Sequence, residues 1–252
     1  LKYLLLWPLA NIRHNPWVSA ITVLGVGGAA FVVATLLGFL VGYQEAVKRD
    51  VDRMGYDLLI TAKGCPYEAA TLMLRGGVGM RYMPDGVVAK LAQEPEVRAT
   101  FPTLIHPVRD PTNPEGMAIF KGVSPGLREA LGLEMTEGEW FAADGSEEES
   151  DGVILGFEAA ELEQRHPGDA YLVHTGGEKG QRRTKVRGVL ARTGTQMDGS
   201  VLLPLKQVQT LFGLPAKLTG VGIQVESTDP AALERIRERY QQEPELQVVS
   251  LS

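Results

Sequence analysis

The feature that most constrains this chain is a stretch without a single charged side chain, from Pro16 to Gln44. As a helix rising about 1.5 Å per residue, Trp17 to Tyr43 is about 40 Å long, against roughly 30 Å for a bilayer core. It therefore crosses, with length to spare for tilt or for a rigid extension. Trp17 and Tyr43 stand at its ends, where half-polar rings are most stable. A cleaved signal peptide has a shorter apolar core and a small-residue cleavage site, whereas this run leads straight into the polar, helix-forming stretch Gln44 to Met54. A buried core helix of this length would be exceptional. A hairpin would need two spans from the length of one.

Orientation is not fixed by charge. Lys2, Arg13 and titratable His14 precede the span and Lys48, Arg49 and Arg53 follow it, so basic residues favour the wrong end, or neither, for an amino terminus in the cytosol. The segment 1–15, apolar positions interrupted around Pro8, reads as an interfacial elbow. Along the span, Ala30, Ala34, Gly38 and Gly42 recur every four residues, a small-residue stripe of the kind that lets helix backbones approach in lipid. Glycine and alanine are also common in spans generally, and a strict four-residue repeat drifts about 40° per step around a helix. Both readings stay open.

Beyond the span the chain repeats itself. The strand candidate Asp57 to Thr61 is followed by a helix over Pro84 to Gln93 with Val87, Val88 and Leu91 on one face. Near the end of the chain, strand Val221 to Val225 precedes Asp229 as N-cap, Pro230 at the first helical position, and Leu233, Ile236 and Tyr240 at helical spacing. The stops are nearly the same: Gln93-Glu94-Pro95-Glu96-Val97 and Gln242-Glu243-Pro244-Glu245-Leu246. Two strand–helix–strand units are expected, joined in the ferredoxin-like split arrangement, with Leu91 and Ile236 in a shared core. Between them, 113–212 reads as an inserted, mainly β region with strands at Val153 to Leu155, Ala170 to His174, Lys185 to Leu190 and Val201 to Leu205. The expected fold is α+β: elbow 1–15, transmembrane helix and extension 16–54, a subdomain from 55–112 and 213–252, and the insertion 113–212. The part from Gly55 onward is expected to fold without the span.

Chemistry is mostly excluded. A formal net charge of -6 gives no reason to expect nucleic acid. One cysteine, Cys65, allows no disulfide within the chain. Gly122-Val123-Ser124-Pro125-Gly126 matches the string of a nucleophile elbow. There the residue after the serine donates its N–H to the oxyanion, and Pro125 has none. Gly76-Gly77-Val78-Gly79 and Gly176-Gly177-Glu178-Lys179-Gly180 lack phosphate-loop spacing. Glu147-Glu148-Glu149, with Asp144 and Asp151, lacks the alternation of a calcium loop and reads as solvated. Cys65, Met73, Met80, Met83 and His106 follow no metal-site spacing, and 66–74 reads as a short amphipathic helix. No catalytic, cofactor or metal residue is expected.

Asn11-Ile12-Arg13 with Asn15-Pro16, Val153-Ile154-Leu155-Gly156, Gly168-Asp169, Val186 with Gly188-Val189-Leu190, and Asp198 followed by Leu202-Leu203-Pro204-Leu205 occur in this order. With the span and the repeat, the chain resembles the amino-terminal part of MacB/FtsX-like ABC transporter permeases. The resemblance implies a dimer of permease subunits in the cell's inner membrane, a separate cytosolic ATPase, and an extracytoplasmic domain that moves when ATP binds. In such permeases the repeat forms the porter subdomain. Members export peptides, drugs, haem or lipoproteins, or regulate cell-wall enzymes. They carry three further spans, so the chain is expected to be a piece of a longer permease. A single-span anchored binding or regulatory module is the alternative.

Overall fold

The computed structural model describes residues 16–53, 55–63, 81–109, 117–142, 151–175, 180–226 and 230–250. The chain divides into two compact units, Leu1–Asp50 and Val51–Ser252. The elbow, Cys65, the 66–74 segment and the acidic run 147–149 lie outside the described residues.

Helix α1 runs without a break over Pro16–Arg53. Its stretch Pro16–Ala46 has a mean hydropathy of 2.3 and buries nothing against the chain itself, so it is long and apolar enough to cross a membrane. Both threonine hydroxyls of this stretch are satisfied inside the helix. Thr22 Oγ1 donates to the Val18 carbonyl at 2.9 Å and Thr35 Oγ1 to the Phe31 carbonyl at 2.8 Å.

The second unit is built on a ten-stranded mixed sheet. Its strands in chain order are β1 (Leu58–Ala62), β3 (Val97–Arg109), β4 (Met117–Val123), β5 (Met135–Gly138), β6 (Val153–Leu155), β7 (Ala170–His174), β8 (Gln181–Leu190), β9 (Ser200–Pro204), β11 (Gly220–Val225) and β12 (Leu246–Ser250). The pair β2 (Met83–Pro84) and β10 (Lys217–Leu218) forms a small separate ribbon. Helices α2 (Gly86–Leu91), α3 (Leu127–Ala130), α4 (Phe157–Glu163), α5 (Leu205–Leu211) and α6 (Pro230–Gln241) cover it. The order across the sheet is β12-β1-β11-β3-β4-β9-β6-β8-β5, with β7 paired to β8 off this path.

The two strand–helix–strand segments, β1–α2–β3 and β11–α6–β12, supply the first four neighbours, antiparallel throughout. Their helices seal one face: Leu58, Ile60, Val221, Ile223 and Val248 pack beneath Val87 and Leu91 of α2 and Leu233, Ile236 and Tyr240 of α6. The other half of the sheet is not a detached body. Strand β3 pairs with β11 from Val97 to Thr103 and with β4 from Leu104 to Arg109, so one strand carries the ladder across. Each half of β3 then keeps one unpaired side, where a proline nitrogen removes no ladder hydrogen bond, and β3 contains both Pro102 and Pro107.

Three boundaries differ from the expected ones. The first repeat helix is shorter, Gly86–Leu91, because Pro84 belongs to a two-residue strand. Strand β8 begins at Gln181 rather than Lys185, extended by its hairpin with β7. Leu205 ends no strand. It opens α5, whose Leu205, Val208 and Leu211 recur at helical spacing and cover Phe120 and Leu203. Between the strands of the 113–212 region stand three short helices, α3 to α5.

Candidate functional site

Three arrangements are candidates for a working part. The first is the stripe on α1. Ala30, Ala34, Gly38 and Gly42 are all exposed, and no atom outside the helix backbone lies within 4 Å of a Cβ built on Gly38 or Gly42. Leu36, Leu37, Phe39 and Leu40 are exposed as well.

The second is the joint between the repeated units. Leu91 is fully buried and Ile236 is 1% exposed, and both belong to the same cluster. Over this cluster the two units exchange ion pairs. Lys90 of α2 donates to Glu243, in the stop after α6, at 2.7 Å, and Arg239 of α6 donates to Glu94, in the stop after α2. The same displacement along the chain carries Lys90 onto Arg239, Leu91 onto Tyr240 and Glu94 onto Glu243, so each helix is tied to the other's stop. Arg235 reaches Glu96 at 3.0 Å, and the Tyr240 hydroxyl donates to Glu94 at 3.2 Å. Burial and then the Glu94 carboxylate push that hydroxyl up to about 12. Exposed pairs of this kind are worth about 0–1 kcal/mol each, so the apolar cluster holds the joint and the pairs set its register.

The third is the turn after β8. Asp198, 2% exposed, accepts from Thr193 N at 2.8 Å, Thr193 Oγ1 at 2.7 Å and Gly194 N at 2.8 Å. Its own carbonyl accepts Ala159 N of α4 at 2.9 Å, and Gly156 N donates to Ser200 O at 2.9 Å. The Gly168-Asp169 turn is tied to β8 in both directions: Gly168 N donates to Val186 O, and Val186 N to Asp169 O, each at 2.8 Å. Three of the motif pieces read from the sequence, around Gly156, Gly168 and Asp198, thus lock loops onto strands.

Among the described residues, no reactive centre forms around Ser124, Met83 or His106. Ser124 Oγ is buried without a hydrogen-bond partner, and the Pro125 carbonyl accepts from Trp140 Nε1 at 2.9 Å. An elbow nucleophile must instead be exposed. Met83 sits in the apolar cluster under α2, while His106 stacks on Phe212 at 4.3 Å and is hydrogen-bonded to the Tyr82 hydroxyl at 2.9 Å. Burial holds that imidazole below its usual range. Among the described residues, no three His, Cys, Asp or Glu side chains gather as metal ligands would.

Sequence reasoning passed over Lys121, which sits on β4 between Ile105 of β3 and Leu202 of β9. Burial lowers its ammonium to about 8. Below that pH it is charged in the folded and unfolded chain alike, and the folded state carries the desolvation cost. From about pH 8 to the unfolded value the unfolded chain binds more protons, so stability rises with pH. Lys121→Met is expected to stabilise the protein at pH 7 by about 1–2 kcal/mol and to flatten this rise, read as denaturation midpoints of both proteins at pH 7 and pH 10.

The model of the MacB-like periplasmic core domain matches residues 19–243. The chain belongs to the MacB-like periplasmic core domain family. Solved structures agree in fold. The periplasmic region of MacB from Actinobacillus actinomycetemcomitans superposes with a TM-score of 0.58 at 11% identity, over 82% of this chain and 94% of that one. The extracellular domain of the noncanonic ABC-type transporter YknZ from Gram-positive bacteria gives 0.51 at 16% identity, over 77% and 99%. No curated protein matches the sequence. The resemblance to MacB/FtsX-like permeases is borne out. This MacB-like chain is a transporter component and a membrane protein, with an apolar N-terminal helix and an extracytoplasmic domain.

Proposed function

We propose that this chain is the part of an ABC transporter permease that couples a cytosolic ATPase to movement of its extracytoplasmic domain, for export or for mechanical transmission. The observation that carries the proposal is the unbroken α1, Pro16–Arg53, within a chain of this family. Thirty-eight residues at about 1.5 Å each exceed a bilayer core by nearly twofold, so the helix is long enough to continue beyond the lipid. The permease works as a dimer in the inner membrane, and ATP hydrolysis belongs to the separate subunit. The stripe Ala30, Ala34, Gly38 and Gly42 is where α1 packs against another span or the second subunit.

In the same reading, 55–112 with 213–252 forms a porter-like subdomain of the ferredoxin-like split kind, and 113–212 a second subdomain. The antiparallel order β12-β1-β11-β3 supports the split arrangement. The change of partner within β3 at Thr103/Leu104 supports a boundary nearby.

Gly38→Leu in the complete permease is expected to lower ATPase stimulation and crosslinking between subunits severalfold while leaving membrane insertion intact, and Leu36→Ala to change little. Equal effects of the two substitutions would mean that the stripe is composition and not an interface.

A further inference from the structure

Strand β7, Ala170-Tyr171-Leu172-Val173-His174, pairs only with β8 among the described residues. Thr175 N donates to Gly180 O at 3.1 Å and Val186 N to Asp169 O at 2.8 Å, which fixes the phase of this antiparallel ladder. Residues 171 and 173 therefore aim their N–H and C=O at β8, and Ala170, Leu172 and His174 aim theirs away from it. Those same three residues share a face with their cross-strand partners Lys185, Arg183 and Gln181, while Tyr171 and Val173 are buried on the other. Leu172 is 43% exposed on that face.

Natural sheets blunt such an edge with charges or proline, and β7 has neither, apart from titratable His174. Its charge stands one strand back. Arg183 and Lys185 are exposed and make no ion pair among the described residues, whereas Arg182, on the opposite face, is paired with Asp151 at 3.8 Å. A protein of net charge -6 thus presents two uncompensated cations and an apolar side chain beside a row of open backbone donors and acceptors.

We propose that the outer edge of β7 binds an extended acidic segment of a partner protein by strand addition, backbone to backbone, with glutamate or aspartate side chains over Arg183 and Lys185 and an apolar one beside Leu172. This is a docking surface and goes beyond the coupling role. An acidic partner is chosen because Arg183 and Lys185 are the exposed cations directly opposite Leu172 and Ala170, and a second copy of this acidic chain offers no general attraction to them.

The test uses the full chain in detergent micelles and a fluorescein-labelled peptide of alternating valine and glutamate, about seven residues long to match a strand. The peptide should bind, and its valine–lysine counterpart should not. R183E/K185E should weaken binding tenfold or more. L172P should do the same with the melting temperature unchanged, because it removes an N–H that the β7–β8 ladder does not use. A peptide N-methylated at alternate residues should lose binding to the unaltered chain, which reads the strand-addition mode without touching the protein's fold. Absence of binding, equal binding of the lysine peptide, or binding that survives either R183E/K185E or N-methylation overturns the proposal. So does self-association of the chain that L172P abolishes, since the edge would then belong to a second copy.

Discussion

Gly156→Ala is expected to destabilise the soluble domain by about 3–5 kcal/mol, among the largest effects a single methyl group can have. The backbone there, φ -66 and ψ 158, suits any residue, so the cost is not conformational. It is steric. A Cβ would stand 1.9 Å from the Met197 carbonyl oxygen and 2.5 Å from that of Asp198. Neither atom is the end of a flexible side chain. Both belong to the turn that the buried Asp198 carboxylate holds through Thr193 and Gly194. Relief would require moving α4 off that turn, breaking the Ala159 N to Asp198 O bond. Denaturant unfolding of residues 55–252 measures it. By contrast Gly126→Ala, where nothing lies within 4 Å, should change the midpoint little.

Leu91→Ala and Ile236→Ala should each cost about 2–4 kcal/mol. Both side chains are sealed in one cluster under α2 and α6, so truncation leaves a void that rigid strands on one side and ion-paired helix ends on the other cannot close. Because the residues come from the two ends of the soluble chain but share one core, their effects should fall short of or exceed the sum when combined. Unfolding of both single variants and the double one decides this. Unchanged midpoints for both single variants would remove the shared core.

How much of this was legible before the structure follows from the range of the forces. The span could be read because lack of charge over a bilayer's thickness is a local property of the chain. The repeat could be read because a proline stop with flanking glutamates is a local signal that occurs twice, at Glu94 and Glu243. That those glutamates are exchanged between units could not, since Lys90 and Glu243 meet only through the tertiary fold. Helix α5 was missed although Leu205, Val208 and Leu211 have helical spacing, because the apolar run Val201 to Leu205 masks where the strand stops. The continuity of the sheet was not legible, because the exchange of partner within β3, from β11 to β4 at Thr103/Leu104, joins segments far apart in the chain. Lys121 gave no signal, because a lysine within a strand is ordinary until the neighbouring strands half-bury it.

The coupling role is tested most directly by distance. With a spin label at Thr175 on each of two copies in the complete permease and its ATPase, the pulsed-resonance distance between the copies should shift between the ADP state and a state trapped with a non-hydrolysable ATP analogue. Gly38→Leu should diminish that shift. The same distance distribution in both nucleotide states, in a complex whose ATPase is active, would contradict the account.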